Sequence, residues 1–143
     1  MTAETINGKA LALSIRAKLA ERVASVTEKL GRPPGLGVIL VGEDAASQVY
    51  VRNKEKAALK AGMKSEIVRL AADVSQQEVE AAVDAMNADE SIDGFLVQLP
   101  LPAGFDESAV TDRISSDKDA DGLHPMNLGR LMAAVSYTHL TLP

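Results

Sequence analysis

A short apolar run in the first third of the chain constrains the fold more than any other feature. Leu36–Val41 contains no polar side chain, follows the break Pro33-Pro34-Gly35 and is closed by Gly42. The run is too short for a helix and rich in β-branched residues, so it predicts a strand that is buried on both faces. Strands of this kind belong to parallel sheets covered by helices, which favours an α/β fold.

Helix and strand patterns alternate along the rest of the chain. Apolar residues spaced three and four apart predict a helix over residues 7–31, with Gly31 as its stop. A second helix is predicted from Asp44 or Ser47 to Ala61, and a second strand at Lys64–Leu70. This alternation predicts a three-layer α/β/α domain with a mainly parallel sheet and right-handed crossovers.

The third helix has the clearest start signal. Ser75 and Glu78 fit a capping box, and Val74 with Val79 fits the hydrophobic staple around it. Beyond that helix the sequence predicts one more strand and two short helices, at Ile92–Leu99, from Asp106 to about Arg113, and from Asn127 to Val135. Ligands in such folds bind at the carboxyl ends of the strands, which directs attention to the segments that follow them.

Composition excludes several classes of protein. The 143 residues include no cysteine, so a disulfide framework and thiolate metal sites are excluded, and only two histidines, His124 and His139, are present. The net charge is −5 and aromatic residues make up 3%, which disfavours nucleic acid as a partner. The chain has no signal-peptide pattern and no apolar run near the ~20 residues of a membrane span. A cytoplasmic, single-domain protein that binds neither membrane nor nucleic acid is expected.

Tyr50 and Lys54 form the first candidate site. They lie four residues apart on the predicted second helix and therefore share one face, which continues through Ala57, Ala58 and Ala61. A lysine on a protein-facing surface beside a phenol is a candidate for proton transfer. The alternative interpretation is an exposed lysine and a half-buried tyrosine on an ordinary amphipathic helix.

Gln98 forms the second candidate site because it directly precedes Leu99-Pro100-Leu101-Pro102. Proline cannot donate to a sheet ladder, so the strand must end here, and its end is rigid. The Gln98 amide can then donate and accept hydrogen bonds at a strand's carboxyl end. The alternative is a strand terminator with a solvated glutamine. A cis bond before proline is compatible with either interpretation.

The acidic loop Asp117-Lys118-Asp119-Ala120-Asp121-Gly122, followed by His124, permits three interpretations. Asp119, Asp121 and His124 could ligate a metal, although the spacing lacks the EF-hand pattern, and no metal is expected. The loop could be a simple acidic turn. One aspartate could instead accept hydrogen bonds from a pair of ligand N–H groups, which suits the two oxygens of a carboxylate. Gly35, Gly37 and Gly42 do not have the spacing of a dinucleotide fingerprint.

Four motifs together resemble one known family. They are Tyr50-Val51-Arg52-Asn53-Lys54-Glu55-Lys56-Ala57, the segment from Asn87-Ala88-Asp89 through Gly94-Phe95-Leu96-Val97-Gln98-Leu99-Pro100-Leu101-Pro102, Lys118-Asp119-Ala120-Asp121-Gly122-Leu123-His124-Pro125, and Asn127-Leu128-Gly129-Arg130-Leu131. In this order, over about residues 5–134, they resemble the amino-terminal catalytic domain of the bifunctional methylenetetrahydrofolate dehydrogenase/methenyltetrahydrofolate cyclohydrolase (FolD) family.

The resemblance implies an enzyme of one-carbon folate metabolism, which supplies purine biosynthesis. Its activity would be NADP-dependent oxidation of 5,10-methylenetetrahydrofolate to the methenyl form, then hydrolysis to 10-formyltetrahydrofolate. By resemblance, Lys54 is the catalytic lysine, Tyr50 stacks on the folate, and Gln98 hydrogen-bonds the lysine and helps to set its protonation state. Asp121 would hold the pterin, and Leu99 and Pro100 would line the substrate site.

The family continues into a Rossmann domain that binds NADP and on which its homodimers depend, and this sequence does not supply that domain. We therefore expect a catalytic domain over residues 1–135, no cofactor-binding residues, and a non-matching tail over residues 136–143 from a truncated reading frame. We expect this tail to be dispensable. Two other hypotheses stay open: a folate-binding fragment without turnover, and an unrelated α/β binding domain.

Overall fold

The computed structural model describes residues 7–135, which form a three-stranded parallel sheet between helical layers. The strands are β1 (Gly35–Val41), β2 (Lys64–Leu70) and β3 (Gly94–Val97), in the order β2-β1-β3. The helices are α1 (Gly8–Leu30), α2 (Ala45–Lys60), α3 (Gln76–Ala88), α4 (Glu107–Asp112) and α5 (Pro125–Arg130), which continues as a π-helical turn over Leu131–Val135. The predicted α/β/α class with a parallel sheet is confirmed.

β1 is the central strand and pairs in parallel with both neighbours. Its register with β2 runs from Gly35↔Lys64 to Val41↔Leu70, and its register with β3 is shorter, from Leu36↔Gly94 to Ile39↔Val97. Because β1 has a neighbour on each edge and helices on each face, its side chains from Val38 to Val41 are at most 3% exposed. This burial explains why the strand is uniformly apolar.

The core is divided by the sheet. On one face, α3 and α4 pack over Ile39, Val41, Phe95 and Val97, and on the other, Val51 of α2 packs over Val38, Leu40 and Leu96.

Gly37 allows the first of these layers to approach closely. A Cβ atom at this position would lie 2.7 Å from Sδ of Met86 in α3 and 2.8 Å from Cβ of Phe95. Both distances are shorter than carbon and sulfur contacts in a close-packed core. The glycine therefore permits α3 to pack directly on the centre of the sheet.

The start of α3 follows the local signals in the sequence. The Glu78 amide donates to Oγ of Ser75 at 3.2 Å, and the Ser75 amide donates to Oε2 of Glu78 at 2.7 Å. Val74 and Val79 both pack with the larger core cluster. The predicted capping box is confirmed.

Three predicted boundaries are wrong, and one of them is the end of β3, which lies at Val97 rather than Leu99. β3 begins at Gly94 rather than Ile92, since the preceding Asp93 carboxylate accepts hydrogen bonds from Arg32 and from the Gly35 amide. α5 begins at Pro125 rather than Asn127, because Nδ1 of His124 accepts from the Met126 amide and caps the helix.

α1 differs from expectation in its burial. The predicted apolar face has only Val23 buried, at 6% exposure, while its other members are between 39% and 57% exposed: Leu11, Ile15, Leu19, Val26 and Leu30. The described part of the chain therefore leaves most of this stripe uncovered. Among the described helices, none is both long enough and apolar enough to span a membrane.

Candidate active site

Lys54 and Gln98 meet at the carboxyl edge of the sheet. Both side chains are partly buried, and Nζ of Lys54 donates a hydrogen bond to Oε1 of Gln98 at 3.3 Å. Nε2 of Gln98 donates to the Leu99 carbonyl at 2.6 Å, which turns the amide so that its oxygen faces the lysine. The contact joins residues 44 positions apart in the sequence, so it is a product of the fold.

The sheet order explains why these two residues meet. α2 begins just after β1, where Asp44 caps the helix by accepting from the Ser47 amide at 2.7 Å. β3 lies beside β1, and the backbone N–H of Gln98 donates to the Ile39 carbonyl at 2.8 Å. Because both strands are parallel, the residue after β3 lies beside the helix that follows β1.

Tyr50 lies one helical turn before Lys54 and is 62% exposed. Ala58 and Ala61 are buried at 5% and 6%, so this side of α2 does face the protein, as the sequence predicted. The simple amphipathic alternative is wrong in its details, since the lysine is the partly buried member of the pair and the tyrosine the exposed one. The Tyr50 ring is therefore available to contact a ligand.

Leu99 and Pro100 form the turn that leaves β3. Their peptide bond is cis, Leu99 is partly buried and Pro100 is exposed. Pro100 borders a cavity of about 350 Å³ at the same edge of the sheet, lined also by Val41, Gly42, Glu43, Asp44, Ala72, Leu101 and Pro102. A cavity therefore lies next to the turn that directly follows Gln98.

Asp119 organises the acidic loop. Its carboxylate accepts hydrogen bonds from the Gly122 amide at 3.0 Å, the His124 amide at 2.9 Å and Nδ2 of Asn127 at 2.9 Å. Partial burial acts to raise the pKa of Asp119, but the hydrogen bonds from Asn127, His124 and Gly122 outweigh it and lower the pKa below its ordinary value. The carboxylate therefore stays charged and holds the loop.

The loop is attached to β3 through backbone contacts. The Phe95 amide donates to the Lys118 carbonyl at 2.8 Å, and the Ala120 amide donates to the Phe95 carbonyl at 3.1 Å. Asp121 follows and is exposed, bordering a small cavity with Leu96 and Val97 of β3. Asp121 therefore lies near the carboxyl end of the strand that Gln98 follows, although no hydrogen bond within residues 7–135 joins it to Gln98, Lys54 or Tyr50.

The metal interpretation of this loop receives no support. Both oxygens of Asp119 already accept hydrogen bonds from N–H groups, and Nδ1 of His124 accepts from the Met126 amide. Within the described residues, no three potential metal ligands are grouped together. The holding role of Asp119 was missed in the sequence; its signal is the spacing from Asp119 to Gly122, typical of an aspartate-initiated turn.

A parallel α/β sheet with a lysine and an oriented amide at its carboxyl edge has the arrangement of a small-molecule site in an α/β domain. The chain belongs to the tetrahydrofolate dehydrogenase/cyclohydrolase family, since residues 6–121 match the family described as "Tetrahydrofolate dehydrogenase/cyclohydrolase, catalytic domain". It is 56% identical over 131 residues to the bifunctional protein FolD of Rhodospirillum rubrum and 55% identical over 129 residues to that of Maridesulfovibrio salexigens.

Solved structures agree with this assignment. The bifunctional enzyme FolD from Campylobacter jejuni superposes with a TM-score of 0.84 at 42% identity, covering 87% of this chain and 44% of that one. The Trypanosoma brucei enzyme, crystallised with NADP cofactor and inhibitor, superposes with a TM-score of 0.87 at 41% identity, covering 93% and 46%. The two bacterial relatives are covered over 44% and 45% of their length, so the chain spans less than half of the curated relatives it matches.

Proposed function

We propose that this chain carries the folate-binding site of a methylenetetrahydrofolate dehydrogenase/cyclohydrolase, with Lys54 as the group that transfers a proton in the cyclohydrolase step. The observation that carries the proposal is the hydrogen bond from Nζ of Lys54 to Oε1 of Gln98 at 3.3 Å. The neutral amide oxygen of Gln98 can accept a hydrogen bond from an amine and, more strongly, from an ammonium group, so Gln98 can hold the lysine in either protonation state. A carboxylate in the same place would favour the charged form.

The cyclohydrolase reaction needs a base near the bridging carbon of the substrate. Water attacks the cationic methenyl carbon, forms the new C–O bond and gives one proton to the neutral amine of Lys54. The bond from this carbon to N5 of the folate then breaks, the hydroxyl loses its proton as the formyl C=O forms, and N5 takes up a proton. Methenyltetrahydrofolate and water thus give 10-formyltetrahydrofolate and one released proton.

The other residues of the site would bind and orient the folate. The exposed ring of Tyr50 offers a stacking surface, and the Asp121 carboxylate offers two oxygens to the amino-pyrimidine edge of the pterin. Leu99 and Pro100 would close the substrate site at the end of β3. The exposure of Asp121 and its lack of a hydrogen-bond partner in the described region leave its carboxylate free to accept ligand N–H groups.

The helix starts that follow the strands do not fit the pyrophosphate of NADP. A dinucleotide is usually held by free backbone N–H groups at a helix N-terminus. The Ser47 amide of α2 donates to Asp44, the Glu78 amide of α3 to Ser75, and the Ala109 amide of α4 to Asp106. Carboxylates stand at all three starts, where they would repel a pyrophosphate, so we expect no NADP-dependent oxidation from this chain alone.

A catalytically incompetent folate-binding fragment is the second candidate. The observation in its favour is the openness of the site, since Tyr50 is 62% exposed and the Asp121 side chain is also exposed. Water that enters freely would compete with the ordered attack. We further propose that the protein is cytoplasmic and acts on a reduced folate, without nucleic acid or membrane as partners, and that dimerisation belongs to the longer relatives.

Substitution of Lys54 tests the proposal. Lys54→Met should lower the rate of methenyltetrahydrofolate hydrolysis by on the order of 10²–10⁴-fold while leaving folate affinity nearly unchanged, because a proton-transfer group is lost but the stem is kept. The decay of methenyl absorbance measures the rate, and equilibrium dialysis measures the affinity. Lys29→Met, in the last turn of α1, is the matched control and should retain full activity.

One result would contradict the role of Lys54, and another would favour the binding fragment over the enzyme. A hydrolysis rate in Lys54→Met equal to that of the unaltered chain would contradict the assignment of the lysine. Folate binding without any turnover in the unaltered chain would support the binding fragment instead.

A further inference from the structure

The turn that follows Gln98 has a single backbone N–H donor. Residues 100 and 102 are prolines, which carry no amide hydrogen, so within this turn only Leu101 can donate a backbone hydrogen bond. Its N–H donates to Oε1 of Glu107 at 2.6 Å. The donor side of the turn is therefore held by one side chain, six positions further along the chain.

Glu107 lies at the start of α4, where several contacts fix the backbone. The Asp106 carboxylate caps the helix by accepting from the amide three positions later at 3.0 Å. The backbone N–H of Asp106 donates to Oε1 of Gln76 in α3 at 3.1 Å. Val110, one turn further on, is fully buried in the core cluster that also contains Leu101. The partly buried Glu107 side chain is thus presented from a rigid element.

The turn controls which atom of the Gln98 amide faces Lys54. Nε2 of Gln98 donates to the Leu99 carbonyl at 2.6 Å, and Oε1 accepts from Nζ of Lys54 at 3.3 Å. An amide rotated by half a turn would present its NH₂ group to the lysine and could not accept from it. The orientation of the Gln98 amide therefore depends on the Leu99 carbonyl, which lies just before the segment that Glu107 holds.

We propose that Glu107 is a positioning residue for the Lys54–Gln98 pair, because its carboxylate fixes the turn whose Leu99 carbonyl orients the Gln98 amide. The inference rests on the proposed function and extends it to a residue outside the substrate site. Within residues 7–135, no hydrogen bond joins Glu107 to Lys54 or to Gln98. Glu107 therefore acts through the turn and takes no part in the proton transfer itself.

The Glu107 carboxylate has two effects that substitution can separate. It accepts a charge-assisted hydrogen bond, which is stronger than one between neutral groups. As the acidic residue in the first turn of α4, it also stabilises the start of the helix. Glutamine keeps an acceptor oxygen at the same place and loses the charge, whereas aspartate keeps the charge and is too short by one methylene to reach the Leu101 N–H.

NMR of the isotope-labelled 143-residue chain tests the proposal without requiring turnover. The probe is the side-chain amide of Gln98, assigned by its loss in Gln98→Ala. In the unaltered chain, the amide proton bonded to the Leu99 carbonyl should exchange with solvent slowly. Glu107→Met, which keeps the side-chain length and removes the acceptor, should raise this exchange rate about tenfold because a charge-assisted hydrogen bond is lost from the turn.

Three further variants separate positioning from a general loss of stability. Glu107→Asp should also speed the exchange, although α4 keeps a carboxylate in its first turn. Glu107→Gln should restore slow exchange. Asp112→Met removes an exposed carboxylate from the last position of the same helix and should leave the Gln98 signals unchanged. Urea unfolding of each variant records any change in stability separately.

Hydrolysis of methenyltetrahydrofolate gives a second readout. Glu107→Met should lower kcat about tenfold and change the dissociation constant for a reduced folate much less, because Glu107 orients the proton-transfer pair and does not touch the ligand. In the Gln98→Ala background, the same substitution should have no further effect, since the amide through which Glu107 acts is gone.

Unchanged Gln98 exchange in Glu107→Met and Glu107→Asp, or an equal change in Asp112→Met, would overturn the proposal while leaving the folate site intact. A full additional loss of kcat in the Gln98→Ala background would also overturn it. Folate binding without hydrolysis in the unaltered chain would overturn the catalytic part of the proposed function, and the Gln98 exchange rates would still decide whether Glu107 positions the amide.

Discussion

At the scale of single residues, the site depends on which groups already have partners and which are free. The side-chain amide of Gln98 donates to the Leu99 carbonyl and accepts from Lys54 through its oxygen. The Asp119 carboxylate accepts hydrogen bonds from within its own loop. The side chains of Tyr50 and Asp121 are exposed and make no hydrogen bond with other described residues. The engaged residues therefore fix the geometry, and the free ones are those that a ligand can meet.

Asp121 provides a prediction at this scale. Asp121→Ala should raise the dissociation constant for a reduced folate about tenfold or more, because a charge-assisted hydrogen bond to the ligand is lost. Calorimetric titration measures the change. Asp117→Ala is the matched control in the same loop, since the Asp117 side chain is 86% exposed and its ion-pair partner Arg130 is 3.8 Å away. An unchanged dissociation constant in Asp121→Ala would show that this carboxylate is only part of a turn.

At the scale of elements, features that depend on contacts within one turn or on the burial of a strand could be predicted from the sequence. Features that depend on contacts between distant segments could not. The α3 start was predictable because Ser75 and Glu78 bond within one turn, and β1 was predictable because burial on both faces leaves an apolar run. The end of β3 and the start of α5 were not. The length of β3 depends on its pairing with β1, and Asn127 lies inside α5 because His124, three residues earlier, caps the helix.

The site residues likewise divide into those that the sequence could place and those whose contacts depend on the tertiary fold. The neighbourhood of Lys54 and Gln98 followed from the rule that ligands bind at carboxyl ends of strands, together with the motif resemblance. The hydrogen bond between them, the exposure of Tyr50 and the engagement of Asp119 depend on tertiary contacts that no local pattern records. The exposed α1 stripe was unpredictable for the same reason, since periodicity identifies an apolar face but does not identify what covers it.

The acidic loop provides the prediction for an element. Asp119→Asn should lower the free energy of unfolding by about 1–3 kcal/mol, because the new amide group would face N–H donors that the carboxylate now accepts. It should also weaken folate binding, since the loop that presents Asp121 loses its anchor. Urea unfolding and calorimetry give the two quantities. Asp117→Asn should change neither, and a fully stable Asp119→Asn chain would show that backbone contacts alone hold the loop.

At the scale of the whole molecule, acid should unfold the protein through a set of carboxylates. Hydrogen bonds from the Arg32 guanidinium lower the pKa of Asp93, and hydrogen bonds from Arg113 lower that of Asp84. Four further carboxyl groups have a lowered pKa because of hydrogen bonds that outweigh desolvation: Asp44, Glu78, Asp89 and Asp119. The folded state therefore binds fewer protons than the unfolded chain in mildly acidic solution.

The direction of the pH effect follows from this difference. A carboxyl group whose pKa is lower in the folded state stabilises the fold above its unfolded value, near pH 4, and this stabilisation is lost as pH falls through the folded value. The urea midpoint should be flat above about pH 5 and fall steadily below about pH 4. Asp93→Asn should show a shallower fall because one such group is absent. A midpoint that does not change down to pH 2 would contradict the assignment.

The position of β1 at the centre of the sheet also has a consequence for synthesis of the chain. β1 is the first strand within residues 7–135, and its partner β3 begins at Gly94, 58 positions after the Leu36 with which it pairs. A ribosome that adds roughly 5–20 residues per second needs about 3–12 s to make the intervening chain. During this time one edge of β1 has no partner from its own chain, so the nascent protein is most exposed to aggregation, and most in need of a chaperone, before β3 emerges.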